Sequence, residues 1–133
     1  MRRFSIRFAA ILVLATVAAG CGGDSGPATY PVKGKVVYKG SGAPVTQGIV
    51  LFKSTTEPPV QASGDIRPDG TFELDSNLGK PGTVAGEHRI LIQPPVLEPG
   101  QKGVHKRFTS YDTSNLKATV AAKGDNFVTL EVE

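Results

Sequence analysis

From residue 32 to residue 133, apolar and polar side chains alternate with period two in one short stretch after another, with turn-forming residues between them. That is the periodicity of strands buried on one face, and no segment in this span carries the 3.6-residue apolar stripe of an amphipathic helix. Val32, Gly34, Val36 and Tyr38 share one face opposite Lys33, Lys35 and Val37. Gly48-Ile-Val-Leu-Phe52 is a continuous apolar run, the pattern of a central strand covered on both sides. Val60, Ala62, Gly64 and Ile66 alternate with Gln61, Ser63 and Asp65, and Arg67-Pro-Asp-Gly-Thr71 is a turn, so a hairpin is expected into a strand with Phe72 and Leu74 facing inward. His88, Ile90 and Ile92 then share a face, as do Leu116, Ala118 and Val120, and Val128, Leu130 and Val132. The expected fold is all-β, a single antiparallel seven-stranded sandwich over residues 30–133. Its expected core is Val36, Ile49, Leu51, Phe72, Leu74, Ile90, Ile92, Leu116, Val120, Val128 and Leu130.

Ahead of the alternating region the chain changes character. Arg2, Arg3 and Arg7 precede an apolar run, Phe8 to Ala19, and the small residues Ala18, Ala19 and Gly20 lead into Cys21, the only cysteine. A positive segment, a short apolar segment and a small-residue cleavage site make an export signal over residues 1–20. The run falls short of the roughly 20 apolar residues that cross a bilayer, so cleavage is expected rather than a retained anchor. Ala19-Gly20-Cys21 matches the end of a bacterial lipobox, with Ala18 where leucine is commonest, and makes Cys21 the expected lipidation site. Ordinary secretory cleavage after Gly20 is the alternative, leaving a soluble protein with a free thiol. Arg2-Arg3 lacks the remaining twin-arginine pattern, and the general secretory route is expected. Gly22-Gly-Asp-Ser-Gly-Pro-Ala-Thr29 has the composition of a flexible tether, so residues 21–29 are read as lipidated cysteine plus spacer.

The net charge of +3 belongs to the leader: three of the fifteen Lys and Arg residues precede Cys21, none of the twelve acidic ones do, and residues 21–133 carry twelve of each. A neutral chain has no electrostatic footprint for nucleic acid, and none is expected as a partner.

Val32-Lys-Gly-Lys-Val36, Gly42-Ala-Pro-Val45, Gly48-Ile-Val-Leu-Phe52, Asp69-Gly-Thr-Phe-Glu-Leu74 and Gly86-Glu-His-Arg-Ile90 resemble the carboxypeptidase regulatory-like, or transthyretin-like, domains of short bacterial lipoproteins. Lys106-Arg-Phe108, Thr113-Ser-Asn-Leu116 and Asn126-Phe-Val-Thr-Leu130 resemble their closing pattern. The resemblance covers residues 31–133 and implies an Ig-like or transthyretin-like sandwich, lipid-anchored in the bacterial cell envelope. Gly22 in place of the aspartate that retains some lipoproteins at the inner membrane implies the outer membrane, facing periplasm or cell surface. In the peptidases that give the family its name this domain has no catalytic residues, and the C-terminal Tyr-Arg-Gly-Ser of a hydrolase sharing the transthyretin fold has no counterpart in Leu130-Glu-Val-Glu133.

The residues themselves carry little chemistry. Ser110, His105 and Asp112 lack a nucleophile elbow, and no catalytic residues are assigned. His88 and His105 stand seventeen positions apart with no HxH or cysteine pair, so no metal or cofactor is expected. His88 shares its face with Ile90 and Ile92 and reads as a hydrogen-bonded structural histidine. Asp65-Ile-Arg-Pro-Asp-Gly70 lacks the ligand spacing of a calcium loop and reads as a turn. The irregular stretch 94–115 is long for a connection, and His105, Lys106, Arg107, Phe108 and Tyr111 within it are the candidate partner contacts. The expected function is a non-enzymatic lipoprotein attached to the membrane through Cys21, its sandwich a structural or protein-interaction module. The alternative is a carbohydrate-binding module of the envelope using the 94–115 loop, against which the absence of Trp counts.

Overall fold

The computed structural model describes residues 26–101 and 103–133; the expected export signal, Cys21 and the expected tether as far as residue 25 lie outside the described residues. Eight strands form two sheets: β1 Val32–Tyr38, β2 Ile49–Ser54, β3 Gln61–Asp65, β4 Thr71–Glu73, β5 Asp75–Ser76, β6 Gly86–Gln93, β7 Leu116–Val120 and β8 Asn126–Val132. One sheet has the order β4-β1-β8 and the other β5-β3-β2-β6-β7. Their apolar faces pack together, Val36, Phe72 and Leu130 of the first against Val50, Phe52 and Ile90 of the second, with the Phe52 and Phe72 rings 6.2 Å apart. The all-β expectation holds, and three details of it change.

The strand expected over 71–75 breaks at Leu74. Its first half pairs with β1 and its second half with β3, which is why eight strands appear where seven were expected. Leu74 donates its N–H to Val32 across the first sheet at 3.0 Å and is buried where the chain changes sheets. The Arg67–Thr71 turn closes as expected, with Arg67 N–H donating to the Thr71 carbonyl at 2.8 Å, but it joins two sheets and the hairpin ladder is confined to Ala62↔Ser76 and Ser63↔Asp75. The sandwich is also not antiparallel throughout. β1 and β8 run parallel from Val32↔Asn126 to Tyr38↔Val132, an arrangement open to strands far apart in sequence and closed to a hairpin.

The third correction concerns β2. Val50 and Phe52 are fully buried, whereas Ile49 and Leu51, expected in the core, are half-buried on the outer face. Within the apolar run 49–52 period two cannot say which parity faces inward; Lys53, beyond the run but on the same strand, shares the outward parity of Ile49 and Leu51. The register decides it: Phe52 stands opposite Ala62 and Ile90. The remaining expected core residues face the interior, with Leu116 and Val128 at its margin. Gly34 is fixed by packing, since a Cβ there would collide with the Phe72 ring and the Val128 carbonyl.

Candidate functional site

The stretch 94–115 is tied down at several points. Lys106–Thr109 forms a 3₁₀ turn, and about three residues per turn aim successive side chains in different directions. Phe108 goes into the core at 2% exposure, and half-buried Val104 packs against the same core. The Arg107 guanidinium lies 4.5 Å over the Phe108 ring and pairs with Glu133 at 3.1 Å. His105 caps the turn, its Nδ1 accepting from Arg107 N–H at 3.2 Å while its own N–H donates to the Glu133 carbonyl at 2.7 Å. Buried Ser114 donates its hydroxyl to the Ile90 carbonyl and holds the exit of the loop against β6. Lys106 is exposed. The five candidate contacts therefore do not form one surface: Phe108 is interior, His105 and Arg107 are spent on the turn and residue 133, and Tyr111 lies elsewhere.

Tyr111 stands over the outer face of the five-stranded sheet. With Thr109, Ser110 and Asp112 it walls an open groove of about 500 Å³ whose sheet side is made by Lys53, Arg89 and Leu91. Lys53 Nζ lies 5.7 Å from the Tyr111 ring centre, within cation–π range. Burial pushes the Tyr111 phenol above its ordinary value, so its ring is neutral near pH 7. Arg89 meets the Asp112 carboxylate at 3.6 Å.

Register adds a third cation. Lys53 stands directly opposite Arg89, and Arg89 directly opposite Lys117, so three cations form one transverse row across β2, β6 and β7 on the outer face. Neighbouring strands are about 4.8 Å apart, and like charges directly opposite each other destabilise a sheet. The exposed Asp112 carboxylate balances part of the row. The arrangement offers an open, positively charged strip with a neutral ring at one end, suited to an acidic group on a partner. The sequence sets Arg89 and Lys117 opposite the inward residues of their strands but does not make the three cations neighbours, because residues 36 and 28 positions apart are aligned only by the sheet register.

His88 is a core residue. It is fully buried, its ring 5.8 Å from that of Phe52. Nδ1 lies 3.0 Å from the Gly86 carbonyl, which can only accept, so Nδ1 carries the proton and Nε2 accepts from the Thr83 hydroxyl at 3.1 Å. Burial lowers its pKa below 6.5, against the smaller raising effect of the Gly86 bond, and keeps the ring neutral. Asp69 closes its turn by accepting from the Thr71 hydroxyl at 2.6 Å and the Thr71 N–H at 3.0 Å, contacts that lower its pKa. The Asp112 carboxylate faces Arg89, His105 Nδ1 accepts from Arg107 N–H, and Ser110 Oγ accepts from the Asp112 backbone N–H at 3.3 Å. Among the described residues no three His, Cys, Asp or Glu side chains converge on a point that would hold a metal ion.

Asn126 escaped the sequence reading. Its amide donates to the carbonyls of Ala121 at 3.0 Å, Lys123 at 3.2 Å and Pro31 at 3.3 Å, and accepts from Ala121 N–H at 2.9 Å. One side chain thus shapes the β7–β8 turn and ties it to the entry of β1. Comparison with known protein families, curated proteins and solved structures gives no match for the chain.

Proposed function

We propose that the chain is a non-enzymatic envelope lipoprotein, held to a membrane by acyl chains on Cys21, whose sandwich is an interaction module with a transthyretin-like arrangement of strands. The anchor rests on the apolar run ending in Ala19-Gly20-Cys21 and on the single thiol, which acylation removes from an oxidising compartment. The observation that carries the interaction role is the row Lys53–Arg89–Lys117 beside the Tyr111 groove, three like charges aligned at a cost to the sheet. The partner it fits is an acidic protein surface.

The test is in-cell crosslinking from a photoreactive residue at Thr109, on the wall of the groove, compared with Lys53→Ala/Lys117→Ala. A reproducible protein adduct that disappears in the double variant supports the reading, and adducts unchanged by it contradict the reading. A second reading, an acidic envelope glycan, is favoured by the Tyr111 ring beside the cations, and enrichment of polysaccharide in the same capture would select it.

A further inference from the structure

We infer that the pole of the sandwich at which the chain enters seats on a lipid surface, an inference that rests on acylation of Cys21. The pole holds an apolar groove of about 720 Å³, distinct from the cationic one, lined chiefly by Pro27, Tyr30, Pro58, Pro59, Leu78 and Val84. Among the described residues that line it, Glu57 is the single charged one. A surface so nearly without charge does not suit an acidic or basic partner and does suit the interfacial zone of a bilayer, where tyrosine side chains concentrate.

The groove belongs to the fixed part of the fold. Tyr30 and Thr83 exchange backbone hydrogen bonds at 2.8 and 3.1 Å, and Gly82, at φ +79°, lets the two segments approach where a Cβ would strike the Tyr30 carbonyl. Buried Ser54 accepts from Val60 N–H at 2.7 Å and so shapes the Pro58-Pro59 wall. Asn77 and Gln61 bond each other twice, through Asn77 N–H to the Gln61 carbonyl at 2.8 Å and Gln61 N–H to Asn77 Oδ1 at 3.3 Å, which sets the turn that presents Leu78. Leu78 is 39% exposed in this place.

Chain length identifies the occupant. Pro27 is itself part of the lining and stands six positions after Cys21. Even fully extended, six residues span only about 20 Å. An acylated Cys21 lies in the headgroup zone, so the tether keeps this pole within one small-domain radius of the bilayer. The opposite pole, reached along β2 and β6 from Ser54↔His88 to Ile49↔Gln93, carries the fully exposed Val96 and has no such constraint.

The experiment uses the full acylated chain in phosphatidylcholine vesicles. Because Cys21 is the only native cysteine, a fluorophore on Leu78→Cys, on Ala85→Cys at the same pole, or on Val96→Cys at the other is a unique label once Cys21 is blocked by lipid. A quencher carried on the lipid chains should quench the Leu78 and Ala85 labels severalfold more than the Val96 label. Equal quenching at both poles, with acylation verified by intact mass, overturns the docking and leaves the anchor standing. Protection of the Leu78 label from a soluble quencher without quenching from the lipid means that the pole is covered by residues 21–25 or by a second copy, and also overturns it. Absence of acyl mass on Cys21 overturns anchor and docking together.

Discussion

Replacing Phe108 by alanine separates an anchored loop from a free contact loop. The ring is 2% exposed, packs in the core and lies beneath the Arg107 guanidinium. Removing a buried phenylalanine costs about 3–5 kcal/mol, from the lost transfer energy and the cavity left behind. A domain of this size has a total stability of about 5–15 kcal/mol, so the variant folds but with little reserve. With a urea m-value of about 2 kcal/mol/M, the midpoint should fall by roughly 1.5–2.5 M. Tyr111→Ala is the matched control from the same stretch. Its ring rests on the outer face beside Lys53, and its loss should cost about 1 kcal/mol or less. The assay is equilibrium urea unfolding followed by far-ultraviolet circular dichroism, with the m-values compared. If Phe108→Ala shifts the midpoint no more than Tyr111→Ala, Phe108 is not part of the core and the pinned loop is wrong.

Gly34→Ala should destabilise by at least about 3 kcal/mol or prevent folding, because the new methyl meets the Phe72 ring and the Val128 carbonyl at once; thermal melts would show it. Asn126→Ala should cost about 2–4 kcal/mol, since several backbone groups at the β7–β8 turn lose their partner together, and amide exchange at Ala121 should rise. His88 contributes a pH dependence of defined sign. Its folded pKa lies below the unfolded value of 6.5, so the unfolded chain takes up the proton first: stability is full above about 6.5, falls as pH drops below it, and levels off under the folded pKa. His88→Gln should flatten this part of the stability profile, and an unchanged slope between pH 7 and 5 would contradict the buried neutral ring. Lys117→Glu should raise stability by about 0.2–1 kcal/mol, because it turns a like-charge pair with Arg89 into an opposite-charge one, while weakening capture of an acidic partner.

The strands were legible in the sequence wherever polar residues broke the apolar pattern. Lys33 and Lys35 fix the inward face of β1, and Thr71 and Glu73 do the same around Phe72. In β2 the apolar run 49–52 has no internal marker; Lys53, just after it, lies on the parity of Ile49 and Leu51, which face outward rather than into the core. Turn chemistry at Asp69-Gly70 announced a reversal of the chain but not which sheet it would join, and nothing local can report that β1 and β8 pair in parallel across the length of the domain. The spatial arrangement of the candidate contacts was hidden for a related reason. His105 to Phe108 are consecutive in sequence, whereas a 3₁₀ turn sends Phe108 inward and Arg107 toward Glu133. The cationic row has the converse character, since Lys53, Arg89 and Lys117 become neighbours only through pairing of β2, β6 and β7. His88 was readable because its face was set by Ile90 and Ile92 on the same strand.

The account stands on attachment at Cys21, and the intact mass of the protein extracted from bacterial membranes tests it most directly. The prediction is a chain beginning at Cys21 that carries a diacylglyceryl group and an amide-linked acyl chain, with Cys21→Ser leaving the membrane fraction. A chain that starts at Cys21 with an unmodified thiol, or one that keeps residues 1–20, would contradict it.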